Sequence, residues 1–352
     1  MALVLADSLF VCDRRGLEAC AAIIETARAD HVLIEEIAGK RLPDDRPLVI
    51  DADVTSIANV RLLRRALPPM AERGFRAFVV DNRNRLEMVH ASVLGATDLL
   101  KRPLAIEDIA AQLNVRAVTG SGASDDDGRL AMASAAGALG ELFFGLTGGE
   151  DYHPEVVEEA SAGVVDAIGD IGLSRWLRAV RGHHKGTFQH CLIVTGVLTS
   201  FGRTTGMSHR DVTRLTTAGL LHDIGKAAIP VAILDKPGKL SEAELVQIRS
   251  HPGVGFRYLS ESDDLPGDVL DAVHHHHELL DGSGYPDGLA GSAIADMTRI
   301  VTICDVYGAL IEKRAYKPAM RAEAALGVLE EMVREGKLES PLVSALRSAV
   351  MT

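Results

Sequence analysis

The chain is 352 residues long, 47% hydrophobic, with a formal net charge of −12. That is enough for two or three domains with cores of their own, and too apolar for a disordered chain. The acidity is uneven: residues 1–115 hold 15 Lys plus Arg against 17 Asp plus Glu, leaving 22 against 32 for the remainder, a balance that argues against polymeric DNA or RNA as a partner of that remainder. Cys12, Cys20, Cys191 and Cys304 lie in apolar segments with neither metal-site nor disulfide spacing, which fits a reducing compartment. The N-terminus lacks a basic region followed by an apolar core, and no uninterrupted apolar run reaches the ~18 residues of a membrane helix. The expectation is a cytoplasmic protein with no membrane insertion.

In the first 115 residues, short apolar runs ending in acids alternate with helical patterns. ALVLAD, HVLIEE, RPLVIDAD, FRAFVVD and TDLLK read as strands, and residues 13–27 and 54–67 as helices, which predicts an α/β parallel sheet. The stretch GATDLLKRPLAIEDI, residues 95–109, resembles the last strand, lysine and final helix of response-regulator receiver domains. The resemblance implies a flavodoxin-like regulatory domain over residues 1–115 and puts Asp51 or Asp53 where receivers carry their phosphorylated aspartate. The pattern is degenerate. Receivers have an acidic pair after the first strand, where Asp7 stands with Ser8 here; after the fourth they usually carry Ser or Thr, where Asp81 stands; and no second helix is evident between HVLIEE and PLVIDAD. These departures weaken a Mg²⁺ site, so no phosphorylation is expected. Asp51 with Lys101 reads as no more than a salt bridge, and the domain as a pseudo-receiver used for dimerisation or partner binding.

Residues 118–129, VTGSGASDDDGR, are dense in Gly, Ser and Asp and read as a linker, set at 116–130. Beyond it, residues 131–352 are expected to be all-helical. The Ala- and Gly-rich segments within 131–180 have helical spacing and either open this domain or join a homodimer or partner interface. After Met320, residues 321–337 read as an amphipathic closing helix.

Histidines and aspartates from His190 to Asp305 carry the chemistry. TFQHCLIVTGVLTSFG and RLTTAGLLHDIGKAAI read as buried helices, the first carrying His190 and the second carrying His222 and Asp223 before a stop at Gly225; VLDAVHHHHELLDG and MTRIVTICDVYGALIE are two more, carrying His276, His277 and Glu278, and Asp305. Helices that point ligands inward are how bundles build metal sites. A lone His190 on an apolar helix would more often be a satisfied core residue. Asp305 is different: a carboxylate in an apolar helix is costly unless a cation or dense hydrogen bonding meets it. Within the HHHH run, His274 and His275 read as spare. His31, His90, His153, His183, His184 and His209 have no comparable context.

From about Arg181 to Met320 the sequence resembles the HD-GYP phosphodiesterases, a branch of the HD metal-dependent phosphohydrolases. The matching words are HDIGK (His222 to Lys226), ILDKPGKLSEAE, HPGVG, HHELLDGSGYPDG and ICDVYGALIEKRAY, in family order over roughly 140 residues. The resemblance implies an all-helical fold around a binuclear metal centre with His190, His222, Asp223, His251, His276, His277 and Asp305 as ligands, Asp223 bridging. It implies hydrolysis of cyclic di-GMP to linear pGpG, with a second cut to GMP as a slower step. Lys226 would lie against the scissile phosphate, Arg314 and Lys317 would hold the substrate's phosphates, and Tyr285, in the GYP loop, would stack on a guanine or pack. Iron or manganese is the family expectation; nickel, zinc and cobalt also suit such donors. Where some members use a glutamate one turn before the first histidine for a third metal, this chain has Gly186, so two metals are expected. Gly308, where the family usually has a second aspartate, and Ala315, where it often has proline, keep two alternatives open: a receptor that binds without cleaving, and a hydrolase of another cyclic dinucleotide.

Overall fold

A computed structural model describes residues 5–43, 45–67, 75–81, 87, 91, 94–111, 123–148, 153–183, 187–234, 236–262, 264–312 and 319–351. The chain divides into two compact units, Met1–Asp126 and Asp127–Thr352.

The first unit is built on a parallel sheet of five strands: β1 (Leu9–Cys12), β2 (Asp30–Leu33), β3 (Leu48–Asp51), β4 (Arg76–Val80) and β5 (Asp98–Lys101), in the order β2-β1-β3-β4-β5. Strands covered on both faces read as continuous apolar runs, and β1, β3 and β4 are buried along their whole length. That order is the flavodoxin-like arrangement receivers share. Helix α1 (Arg14–Ala27) packs Cys20, Ile23 and Ile24 into a core with Phe10, Val49 and Val79; helix α2 is Ile57–Ala66.

Three expectations need correction. The first described strand is LFVC; of ALVLAD, residues 2–4 lie outside the described residues and residues 5–7 are not strand, while Leu9–Cys12 pairs with β2 on one side and β3 on the other. The acid after the first strand is therefore Asp13 and not Asp7. Its Oδ1 caps α1 at the Gly16 N–H (2.7 Å) and its Oδ2 accepts the Asp53 N–H (2.6 Å). Asp51, at the end of β3, is fully buried, and its partner is Arg102 rather than the exposed Lys101. Residues alternate faces along a strand, and Lys101 closes β5 pointing away. Between β2 and β3 the described residues form a short 3₁₀ turn, Ile34–Ile37, and no α-helix, as the sequence suggests.

The second unit is helical. Its first helix, α3 (Ala123–Gly148), begins inside the segment expected to be a linker; the Ser and Asp that suggested a linker also suit a helical N-terminus. Helix α4 (Pro154–His183) bends at Gly172, and α5 (Thr187–Thr204) is the hub, packed by α4, α6 (His209–Leu221), α11 (Asp296–Ile311) and α13 (Ser340–Val350). A helix apolar all round belongs in a core, and residues 188–202 of α5 are buried without interruption. Its hydroxyls are satisfied internally: Thr195 and Thr199 donate to carbonyls four residues back. The Trp176 indole N–H, from α4, donates to the Leu192 carbonyl at 2.9 Å. The remaining helices are α7 (Val231–Leu234), α8 (Glu242–Arg249), α9 (His251–Leu259), α10 (Gly267–His275) and α12 (Ala322–Arg334). Helix α12 does not close the chain: α13 follows and lies on α5, where the Ser200 hydroxyl donates to the Ala349 carbonyl. No described helix is long and apolar enough to cross a membrane.

Candidate metal centre

The seven proposed ligands arrive largely on helix ends. His190 lies in the first turn of α5. Helix α6 stops at Leu221, so His222 is its C-cap and Asp223 opens a 3₁₀ turn, Ile224–Ala228, rather than both riding on one helix. His251 is the first residue of α9, His276 caps α10 with His277 beyond it, and Asp305 stands within α11. Ends suit the purpose because a residue leaving a helix can turn its side chain inward without displacing a packed turn.

The structure brings all seven together in two groups, Asp223 with His251, His276 and His277, and His190 with His222 and Asp305; in each, the donor atoms lie within 4.8 Å of one another. Asp223 joins them. Its Oδ1 faces His251 Nε2 at 3.1 Å and His276 Nε2 at 3.8 Å, and its Oδ2 faces His190 Nε2 and His222 Nε2, both at 3.6 Å. Asp305 reaches His190 Nε2 with Oδ1 (2.8 Å) and His277 Nδ1 with Oδ2 (3.6 Å).

Tautomers decide what these atoms can do. Nδ1 of His222, His251 and His276 lies 2.7–2.9 Å from the carbonyl three residues earlier, Gly219, Ile248 and Val273 respectively. A carbonyl only accepts, so Nδ1 carries the proton and Nε2 presents a lone pair to the interior, the arrangement that orients metal-binding imidazoles. The lone pairs then face each other: His251 and His276 Nε2 are 3.2 Å apart, and Asp223 Oδ1 is buried with no hydrogen-bond donor. Buried acceptors aimed at one another are costly unless a cation lies among them. The residues therefore fit divalent cations.

Electrostatics agrees for three of the imidazoles and for Asp223. Burial pushes His222, His276 and His277 down, His277 to about 3, which keeps them neutral. Burial would raise Asp223, yet the Lys226 ammonium, 2.5 Å from its Oδ2, holds it well below the usual carboxylate range. Lys226 is raised in turn: Asp223 and Asp305 outweigh its desolvation. His190 is pushed up to about 9 because Asp305 and Glu312 overcome its burial.

Two buried glutamates stand beside these residues: Glu312, to which the sequence pattern assigns no role, and Glu278, which follows His276 and His277 in the sequence as a further expected ligand. Glu312 is 4% exposed with Oε2 3.5 Å from His190 Nδ1, behind the ligand rather than among the inward donors. It follows Asp305 by seven residues, two helical turns, so the spacing carried the signal. Glu278 is buried beside the histidines, and its Oε1 accepts the backbone N–H groups of Asp287 (2.7 Å) and Gly288 (2.9 Å), tying the GYP loop to the end of α10. Within that loop Gly282 has a positive φ of 77°. Gly284 does not; it is needed because a Cβ there would sit 2.5 Å from the Glu278 backbone. Tyr285 stacks on His277 with centroids 4.7 Å apart, and the Arg249 guanidinium lies 5.3 Å from its ring. Arg314, Lys317, Ala315 and Gly186 fall outside the described residues.

Gly308 has a packing reason. A Cβ at this position would meet Val194 Cγ2 at 2.7 Å, so α11 and α5 approach too closely for a side chain. His274 and His275 are not solvated spares. His274 stacks on Phe256, and both ring nitrogens of His275 face carboxylates.

Comparison with known proteins agrees with this geometry. Residues 173–341 match the family model described as HD domain. The cyclic di-GMP phosphodiesterase response regulator RpfG of Xanthomonas campestris pv. campestris is 40% identical over 171 residues, 48% of this chain and 44% of the relative. The 3'3'-cGAMP-specific phosphodiesterase 1 of Vibrio cholerae serotype O1 is 36% identical over 160 residues, 46% of this chain and 37% of its own. The chain thus spans less than half the length of these curated relatives. Among solved structures, Bd1817, an HDG"Y"P protein from Bdellovibrio bacteriovorus, superposes with a TM-score of 0.52 at 17% identity, covering 70% of this chain and 80% of that one, which shows a shared fold. Residues 173–341 of the second unit are thus similar to HD domains, and the HDIGK and GYP words they carry are those on which the resemblance to the HD-GYP branch rests.

Proposed function

We propose that the HD-GYP domain hydrolyses cyclic di-GMP to linear pGpG at a binuclear divalent-metal centre, iron or manganese being the preferred occupants. The observation that carries this reading is Asp223, whose two oxygens each face a separate pair of imidazole nitrogens. In it, His190, His222 and Asp305 would hold one cation, and His251, His276 and His277 the other, with Asp223 shared. When bound, two such cations polarise phosphoryl oxygens and lower the pKa of a shared water, so no protein nucleophile is required.

The chain's own residues supply the rest. Lys226, 17% exposed at its side chain, offers a fixed positive charge beside Asp223 where a phosphate would collect negative charge. The loop fastened by Glu278 holds Tyr285 over His277, where its ring can form one wall for a purine. Arg314 and Lys317 are assigned to the substrate's phosphates from their motif alone. Relatives named for cyclic di-GMP and for 3'3'-cGAMP support the substrate class, and the likeness to the latter supports a second reading in which another cyclic dinucleotide is preferred.

For the first unit we propose a pseudo-receiver that dimerises or binds a partner in the cytoplasm. Both Asp13 oxygens are taken by backbone N–H groups and Asp51 is taken by Arg102 and the Cys20 thiol, which leaves little acid for Mg²⁺. The decisive test of the activity is incubation of metal-loaded protein with cyclic di-GMP, 3'3'-cGAMP and cyclic di-AMP, products being separated by chromatography. Turnover of cyclic di-GMP supports the proposal; binding without any turnover would favour a receptor.

A further inference from the structure

Outside the central ligand set, the end of α10 and the GYP loop bring together His274, His275 and Asp287, whose donor atoms lie within 4.8 Å of one another. His275 Nδ1 is 2.9 Å from Asp271 Oδ1, and its Nε2 is 3.0 Å from Asp287 Oδ2. Asp271 is itself anchored, because the Thr298 hydroxyl donates to its other oxygen at 2.6 Å. A neutral imidazole has one N–H. With Nδ1 turned to Asp271, Nε2 and Asp287 Oδ2 are aimed at the same point 3.0 Å apart, beside the His274 ring, so three donor atoms converge where one cation can be shared. Ligands on 2.0–2.1 Å bonds at tetrahedral angles stand roughly 3.3 Å apart, close to the observed Nε2–Oδ2 separation. Stacking on Phe256, with centroids 4.5 Å apart, restrains the His274 ring. The His275 side chain is 14% exposed and Asp287 is 54% exposed, so a solvent ion can reach the site.

We propose that His274, His275 and Asp287 form a second, exchangeable transition-metal site, with Asp271 as the carboxylate that orients His275. Two imidazoles and one carboxylate suit zinc, nickel or copper, and leave a position for water. Asp287 belongs to the GYP loop, whose backbone Glu278 already holds, so an ion here would clasp that loop to α10 from the solvent side. The site is separate from the centre around Asp223 and does not depend on the activity proposed for it.

Zinc(II) chloride titrated into the full chain, its central centre filled, tests this by calorimetry, with zinc, iron and manganese measured in the same samples by elemental analysis. The expected result is one zinc taken up per chain with no loss of iron or manganese. Uptake should be abolished in a His274→Ala/His275→Ala double variant and weakened about 10- to 100-fold in Asp271→Asn, the usual effect of losing an orienting carboxylate. Asp287→Asn, an exposed loop substitution that leaves both rings in place, should also weaken it. The absence of stoichiometric uptake by the unsubstituted protein, or uptake that is indifferent to Asp271→Asn and Asp287→Asn alike, would overturn the assignment and leave a plain histidine tract.

Discussion

Asp223 and Lys226 are three residues apart and in contact, yet they should fail differently when replaced. Asp223 touches four imidazoles with its two oxygens, so Asp223→Ala removes the one donor common to both groups; the expected result is loss of bound metal and of turnover together. Lys226 touches only Asp223 Oδ2 among these donors, and its task is charge at the phosphate. Lys226→Ala should retain metal while kcat falls by about 10²- to 10³-fold, the usual effect of deleting one preorganised charge-stabilising group. Metal analysis beside steady-state kinetics separates the two, and equal metal loss in both variants would contradict this division. A related outcome follows from the opposed lone pairs: with the ions chelated, His251 and His276 face each other uncompensated, so the melting temperature should fall. A ligand at 1,000 times its Kd contributes about 4 kcal/mol, and each kcal/mol corresponds to about 2–4 °C in a unit of 150–250 residues. Scanning calorimetry with and without chelator measures it.

At the scale of elements, Gly308 and Glu278 show how the helices hold the site. Gly308→Ala would place a methyl 2.7 Å from Val194 Cγ2, against a packed neighbour, and should destabilise the domain by about 1–3 kcal/mol. Urea denaturation gives the value, and a neutral result would mean the α5–α11 contact is looser than described. Glu278→Ala strands the N–H groups of Asp287 and Gly288; the loop should loosen, raising KM for the dinucleotide while bound metal stays at its full count. Much of this scale was legible beforehand. Apolar periodicity located α5 and α11, and the HDIGK and HHE words gave the residues that meet at Asp223, because ligand spacing in those words is local. What escaped notice was set by contacts distant in sequence. The first strand was misplaced because two apolar runs compete for it and only pairing with β2 and β3 chooses; Arg102 replaced Lys101 for the same kind of reason. The His275 clasp joins side chains of different elements, which periodicity cannot pair, whereas Glu312, two helical turns beyond Asp305, lay within its reach.

For the molecule as a whole, the first unit has the receiver strand order with its acidic pocket spent on other bonds. Asp51→Asn and Asp53→Asn should therefore leave phosphodiesterase activity nearly unchanged, and acetyl phosphate should not label the protein; labelling abolished by either substitution would show a working receiver. Asp51→Asn also removes the buried partner of Arg102, so its stability should drop while that of Asp53→Asn, at an exposed position, should not. The account as a whole stands on a binuclear centre bridged by Asp223 that cleaves a cyclic dinucleotide. The most direct measurement takes anaerobically purified protein, counts its firmly held iron and manganese, and follows cyclic di-GMP in the same sample by chromatography. The prediction is two such metals per chain and conversion of cyclic di-GMP mainly to pGpG; a full complement of metal with cyclic di-GMP bound and left intact would contradict it.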